Sequence, residues 1–248
     1  MPRRSRQISG SGIYHVVMRG INRQTIFEDE EDNDRLIETL RKCRDTSGYR
    51  LLAYCLMGNH FHLLLKTEAE DLAQIIKRVA GSYVYWYNLK YRRTGHLFQD
   101  RFKSEAVEND RYFIAVLRYI HQNPVKAGLC DKAEEYKYSS CGDYNSGSSG
   151  LLDIEYTYSI VDRDTLMILS NEENDDKCLE AEDISNRIND QDAMATIQSI
   201  TKCASATAFQ SLDIARRDIY LKELRTHGLS IRQISRLTGI SVGIIRKN

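Results

Sequence analysis

The sequence predicts an α+β fold: an antiparallel sheet covered by helices, followed by a small all-α module. Runs of alternating or continuous apolar residues indicate strands, and apolar residues at helical spacing indicate the helices between them. In chain order, the predicted elements are strand 12–19, helix 30–47, strands 49–57 and 60–66, helix 70–90, a strand near 101–107 and helix 110–123. The order β-α-β-β-α-β-α is that of the ferredoxin-like split βαβ arrangement.

Each of these elements has a local justification. The apolar face of helix 30–47 consists of Leu36, Ile37, Leu40 and Cys43. The pair Gly58-Asn59 is typical of a tight turn, so the strands on either side should form a hairpin. Along helix 70–90, apolar and aromatic residues recur at helical spacing, namely Leu72, Ile75, Ile76, Val79, Tyr83 and Trp86.

The third predicted strand contains the sequence His60-Phe61-His62. Because side chains alternate along a strand, both histidines should lie on one face while Phe61 points to the other. Two neighbouring imidazoles offer the nitrogen ligands that many metal ions use. The pair is therefore a candidate metal site, although two ordinary histidines on a half-exposed strand would give the same pattern.

Helix 110–123 should begin with Asp110 as its N-cap and end before Pro124, which cannot continue a helix. Its apolar stripe is Phe113, Val116, Leu117 and Ile120. Tyr119 and Asn123 are four residues apart and share a face that flanks this stripe. A partly buried tyrosine with a satisfied hydroxyl group, followed by an asparagine at a helix end, is the alternative interpretation.

Together the two motifs resemble the single-tyrosine HUH transposase family, where U stands for a hydrophobic residue. Three further stretches resemble the family's first strand, the segment before the catalytic helix and the end of that helix; they are 14–20, 95–104 and 123–129. The resemblance covers roughly residues 8 to 142. Its details favour the REP-associated branch, whose members process or mobilise repeated palindromic DNA.

The resemblance implies a role for each motif residue. Tyr119 would attack a phosphate in a single-stranded DNA hairpin, forming a 5′-phosphotyrosine and releasing a 3′-hydroxyl group. His60, His62 and Asn123 would bind the divalent metal cofactor, Mg or Mn. Tyr112, seven residues before Tyr119, is a rival nucleophile for which a packing role is expected. Some relatives are dimers that exchange the tyrosine helix between subunits, whereas REP-associated ones tend to act as monomers. The resemblance therefore leaves open both a homodimer and a monomer.

Basic and aromatic residues indicate where DNA could bind. Arg92, Arg93, Arg101 and Lys103 are candidates for contacts to the DNA backbone, as are Arg3 and Arg4 in the basic amino-terminal segment. A solvated basic face is the alternative for each of them. The aromatic residues Tyr83, Tyr85, Trp86, Tyr87 and Tyr91 could stack on unpaired bases, but packing in the core and at its rim is the expected role.

Composition divides the chain into three parts: a catalytic domain over 1–142, an acidic flexible linker over 143–177 and a helical module over 178–248. Residues 1–142 hold 23 Lys and Arg against 18 Asp and Glu, a net charge of +5. Residues 143–204 hold 4 against 14, a net of −10, and residues 205–248 hold 8 against 3, a net of +5. The two basic segments suit contacts to phosphates.

The carboxy-terminal part resembles a helix-turn-helix over 229–246, preceded by a helix from Asp213 to Arg225. Ser235 supplies the small residue of the first helix, Gly239 opens the turn, and Ile234, Ile240 and Ile245 should form the shared core. Ser241, Arg246 and Lys247 would then lie near duplex DNA. The short second helix weighs against sequence-specific duplex binding.

Several classes of protein are disfavoured. No apolar run approaches eighteen residues, so no membrane helix and no membrane partner are expected. The start of the chain lacks the apolar region of a signal peptide, and the six scattered cysteines form no C-x-x-C pair, which favours a cytoplasmic protein with reduced thiols. Two other functions stay open: a domesticated protein that binds such DNA without cutting it, and a hydrolytic metalloenzyme in which Tyr119 is structural.

Overall fold

The computed structural model describes residues 8–147, 149–173, 176, 178–179, 190–203 and 205–247. It divides into two compact units, Met1–Ala181 and Glu182–Asn248. Arg3 and Arg4, the predicted basic residues of the amino-terminal segment, lie outside the described residues.

The first unit contains the predicted four-stranded antiparallel sheet. Its strands are β1 (Ile13–Arg19), β2 (Arg50–Met57), β3 (His60–Lys66) and β4 (Lys103–Ala106), arranged in the order β2-β3-β1-β4. Met57 pairs with His60 across the two-residue turn, which confirms the hairpin. β3 is therefore a central strand, flanked by β2 and β1.

Three long helices cover the two faces of this sheet: α1 (Glu30–Ser47), α2 (Leu72–Lys90) and α3 (Asp110–Lys126). Two short 3-10 helices, Ile21–Arg23 and Ala133–Glu135, lie in connecting segments. Phe61 contacts Phe27, and Phe27 contacts Tyr83 of α2. Helix α2 therefore covers the face of the sheet opposite the histidines. Helix α3 packs against β2 and β3 on the histidine face. The predicted α+β architecture is confirmed.

Helix α3 differs from its prediction at both ends. Its N-cap is Asn109, whose side-chain oxygen accepts a hydrogen bond from the Tyr112 amide at 2.9 Å, and the prediction that Asp110 is the cap was wrong. The helix also continues through Pro124 to Lys126. Proline is tolerated there because the helix has only two residues left, so one missing amide hydrogen costs little, and the Ala127 amide still bonds to the Asn123 carbonyl at 3.0 Å.

Three short helices follow in the first unit: α4 (Cys141–Ser146), α5 (Ile154–Tyr158) and α6 (Arg163–Asn171). They lie in the segment for which the sequence predicts a flexible linker. Tyr144, Leu152 and Leu166 are buried in the core shared with the sheet, and the Tyr158 hydroxyl donates to the Tyr144 carbonyl at 2.7 Å. Burial of these apolar residues gives the described part of 143–177 a fixed packing that its serine, glycine and acidic content does not indicate.

The described residues of the second unit form helices and no strand. The helices are α7 (Asp190–Thr201), α8 (Ala206–Gln210), α9 (Ile214–Thr226), α10 (Ile231–Thr238) and α11 (Val242–Lys247). Gly239 ends α10 with a φ of 74°, a conformation that glycine adopts without strain. The predicted core residues Ile234, Ile240 and Ile245 are all buried, which confirms the packing expected of a helix-turn-helix. None of the described helices is long and apolar enough to cross a bilayer.

Candidate active site

His60 and His62 lie side by side on β3, as strand alternation predicts. Their ring centroids are 5.1 Å apart. His62 is fully buried, whereas His60 is half-buried at the end of the strand. His60 Nδ1 lies 2.7 Å from Asn59 Oδ1, an atom that can only accept, so Nδ1 is the donor of this hydrogen bond and Nε2 is the nitrogen that could bind a metal.

A third histidine, His15 on β1, belongs to the same cluster. Its Nε2 lies 2.9 Å from His62 Nδ1, and both rings are fully buried. Burial lowers the pKa of His15 to about 3 and the pKa of His62 well below its usual value, so both rings are neutral. Sequence reasoning missed His15 because its place beside His62 depends on the register of β1 with β3, which pairs Val17 with His62.

Tyr119 packs against both buried histidines. Its ring meets that of His62 edge-on at a centroid distance of 5.6 Å and that of His15 at 5.9 Å. The Lys126 ammonium group lies 5.6 Å from the Tyr119 ring centroid. The expectation that Tyr119 only flanks the core was wrong: it is 7% exposed, because α3 lies directly on the histidine face of the sheet.

Asn123 follows one turn after Tyr119 and is half-buried. Its side-chain nitrogen donates to the Tyr119 carbonyl at 3.0 Å. With the nitrogen engaged in this bond, the amide oxygen is the atom that could bind a cation. Helix α3 thus carries the tyrosine and a candidate oxygen ligand on the face that covers β3.

The polar atoms of this cluster fit a divalent metal ion. His62 Nε2 is buried without a hydrogen-bond partner, as expected of a nitrogen whose partner is a metal. No group of three or more His, Cys, Asp or Glu side chains within the described ranges could hold a metal by itself. Two imidazoles would therefore need oxygen ligands, which the Asn123 amide and a DNA phosphate can supply, and such a mixed set suits Mn or Mg.

The rival tyrosine has different surroundings. Tyr112 is half-buried at the rim of the core. Burial and a hydrogen bond to the Glu105 carboxylate raise its pKa far above the usual value, which disfavours the phenolate needed for attack.

The candidate DNA-binding side chains of the first unit are partly accessible. Arg92 and Arg101 are exposed, while Arg93 and Lys103 are half-buried. Arg93 lies over the Tyr87 ring, 5.5 Å from its centroid, and donates to the His96 carbonyl. The second unit exposes Ser241, Arg246 and Lys247 around α11.

The aromatic cluster at the end of α2 is mainly a packing feature, as expected. Tyr83 and Tyr87 are buried, and the Tyr83 hydroxyl donates to the Ile26 carbonyl at 2.6 Å. Tyr85, by contrast, is 71% exposed and is the member of the cluster best placed to stack on a base.

Comparisons with known proteins show which family the first part of the chain matches. Residues 9–123 match the family described as "Transposase IS200 like", and the matched range contains all three clustered histidines, Tyr119 and Asn123. A protein of Haemophilus influenzae, named as a REP-associated tyrosine transposase, is 27% identical over 104 residues, which cover 37% of this chain and 58% of that protein. This chain therefore matches somewhat more than half of that relative's length.

A solved structure of a REP-associated tyrosine transposase bound to a REP hairpin has a similar fold. The TM-score is 0.55 at 16% sequence identity, and the match covers 74% of this chain and 98% of the other. At that identity the likeness shows a shared fold. Residues 9–123, which carry the paired histidines on β3 and the tyrosine on α3, therefore match the IS200-like transposase family.

Proposed function

We propose that this chain is a metal-dependent DNA strand transferase that cleaves and rejoins single-stranded DNA hairpins of repeated palindromic elements. The observation that carries the proposal is the edge-on contact between Tyr119 and His62, which brings a nucleophile to a pair of metal-ligand histidines.

The chemistry begins at the Tyr119 hydroxyl oxygen. In-line attack on a backbone phosphate breaks the bond to the 3′-oxygen, leaving a 5′-phosphotyrosine and a free 3′-hydroxyl group. A second 3′-hydroxyl group can reverse the step and rejoin DNA, so the bond energy is kept and no ATP is needed. The free pKa of tyrosine is near 10, so at neutral pH the hydroxyl group needs activation by the metal or by a base.

His60, His62 and the Asn123 amide oxygen would hold the metal. When bound, a divalent cation would neutralise charge on a non-bridging phosphate oxygen and orient the phosphate for attack. His62 Nε2 is buried without a hydrogen-bond partner, so this nitrogen is available to a ligand.

Basic side chains supply the proposed DNA contacts. Arg92, Arg93, Arg101 and Lys103 would bind the hairpin backbone, since cationic side chains neutralise phosphates. Ser241, Arg246 and Lys247 of the second unit would contact duplex DNA. The solved relative bound to a REP hairpin supports a hairpin as the substrate class.

A covalent-adduct assay tests the proposal. The protein is mixed with Mn²⁺ and a labelled single-stranded oligonucleotide carrying the palindrome beside its own coding region, then denatured and separated by electrophoresis. The expected result is a protein–DNA band that EDTA and Tyr119→Phe abolish and that Tyr112→Phe, the matched control, leaves in place. A band that persists in Tyr119→Phe would indicate another nucleophile, and metal-dependent cutting without any band would favour hydrolysis.

A further inference from the structure

We infer that His15 is a positioning residue, which fixes the ring and the tautomer of His62 so that His62 Nε2 presents its lone pair to a metal ion. The inference rests on the proposed metal site. The sequence alone does not indicate this role for His15. The role concerns metal binding by His62 and not the cleavage step itself.

The rings of His15 and His62 contact each other through one nitrogen of each ring. His15 Nε2 and His62 Nδ1 lie 2.9 Å apart, while the two outer nitrogens, His15 Nδ1 and His62 Nε2, are buried without hydrogen-bond partners. At a separation of 2.9 Å, a single hydrogen fits between the inner nitrogens and joins them in a hydrogen bond. Whether this hydrogen is bonded to His15 Nε2 or to His62 Nδ1 determines whether His62 Nε2 carries a hydrogen or a lone pair.

Only one arrangement suits a metal ligand. If His15 Nε2 carried the hydrogen and donated it, His62 would be protonated on Nε2 and could not coordinate. If His62 Nδ1 donates to His15, Nε2 is left with a lone pair directed away from His15. Histidine ligands ordinarily donate their second nitrogen to an acceptor in this way, which fixes the ring and raises ligand basicity. His15 Nε2 is that acceptor.

The neighbouring residues support the assignment. Asn59 Oδ1 accepts from His60 Nδ1 at 2.7 Å, so the second histidine of the pair is held by an equivalent bond. The Tyr119 ring packs edge-on against both His15 and His62, which restricts rotation of either ring. Each histidine of the motif thus has its own acceptor, one supplied by the turn before β3 and one by β1.

Metal binding by the full chain tests the inference, with Mn²⁺ affinity measured by calorimetry or electron paramagnetic resonance. His15→Phe keeps a flat buried ring but removes the acceptor, and we expect its affinity to fall about 10- to 100-fold. His15→Gln places an amide oxygen near the position of Nε2, and its affinity should stay within a few-fold of wild type. Tyr83→Phe is the control, because it removes one buried hydrogen bond on the opposite face of the sheet.

The outcomes separate this inference from the proposed function. Wild-type affinity in a folded His15→Phe protein would overturn the role of His15 and leave the metal site standing. Absence of Mn²⁺ binding in the wild type would overturn the metal site and the inference with it. If His15→Phe does not fold, the ¹⁵N NMR spectrum of the wild-type protein loaded with Zn²⁺ gives the tautomer of His15. A hydrogen on His15 Nδ1 supports the inference, whereas a hydrogen on His15 Nε2 contradicts it.

Discussion

At the scale of single residues, the site depends on a few side chains that the sequence identifies well and on one that it does not. His60, His62, Tyr119 and Asn123 stand out because strand alternation and helical spacing are local properties. His15 could not be identified from local sequence patterns, because its contact with His62 depends on how β1 pairs with β3. The burial of Tyr119 is likewise set by the docking of α3 and not by its own helix.

Replacement of Asn123 by alanine should weaken metal binding more than it weakens the fold. The Asn123 side chain makes one hydrogen bond to its own helix, so its loss should cost about 1 kcal/mol of the free energy of unfolding. Loss of an oxygen ligand should lower Mn²⁺ affinity at least tenfold. Metal titration together with thermal unfolding checks both effects, and an unchanged titration in a folded variant would remove Asn123 from the ligand set.

At the scale of secondary-structure elements, local signals explain what the sequence predicts and tertiary contacts explain the rest. The bounds of α1 and β3 agree with their predictions, because a capping box at Asp29, a left-handed Gly48 and a tight turn mark them in the sequence. The end of α3 was missed, since proline ends most helices but is tolerated in a last turn that is packed in place.

Helix α3 is also held by the segment that follows it. His121 Nε2 lies 3.0 Å from Ser140 Oγ, and Gln122 donates to the Glu172 carbonyl at 2.6 Å. Arg118 forms an ion pair with Asp176. These contacts connect the side of α3 next to Tyr119 with Ser140, Glu172 and Asp176, and they help to fix the packing of the described residues that follow α3.

The N-cap of α3 gives a direct test at this scale. Asn109→Ala removes the acceptor for the Tyr112 amide and should lower the free energy of unfolding by about 1 kcal/mol. Asn109→Asp keeps an acceptor at the same position and should stay close to wild type. Chemical denaturation measures both variants, and equal stability of Asn109→Ala and wild type would argue against Asn109 as the cap.

For the molecule as a whole, the sequence predicts an α+β domain with the candidate active site, an acidic linker and a helical module with a helix-turn-helix. The order of strands follows from the βαββαβα pattern, which admits few topologies. The packing of 143–171 could not be predicted in the same way, because short helices with scattered apolar residues depend on the surface that receives them.

Stability of the first unit should fall as the pH is lowered from about 6.5 towards 5. Burial lowers the pKa of His15 and of His121 to about 3, and that of His62 is also lowered, whereas each would titrate near 6.5 in the unfolded chain. The unfolded state therefore binds more protons in this window, and each buried histidine removes up to about 1.4 kcal/mol per pH unit.

Urea denaturation in EDTA at several pH values measures this dependence. His121→Gln lacks one of the three histidines and should show a shallower slope than wild type, irrespective of its stability at pH 8. A stability that stays constant between pH 6.5 and 5 would contradict the burial of neutral histidines.

The second unit should contribute to DNA affinity without contributing to the metal site. Arg246→Ala combined with Lys247→Ala removes two exposed cations from α11 and should lower affinity for duplex DNA and reduce its salt dependence by about two units of slope. Mn²⁺ affinity should be unchanged. Fluorescence anisotropy at several salt concentrations provides the measurement, and an unchanged salt dependence would exclude these residues from the DNA contact.

In the proposed reaction Tyr119 becomes covalently joined to DNA, and peptide mapping of the adduct detects that bond. After reaction with Mn²⁺ and the single-stranded hairpin, the protein and the DNA are digested and the modified peptide is sequenced by mass spectrometry. We expect the phosphate-linked nucleotide on Tyr119 and none on Tyr112. Modification of a different residue, or unmodified Tyr119 in protein that has cut its substrate, would contradict the account.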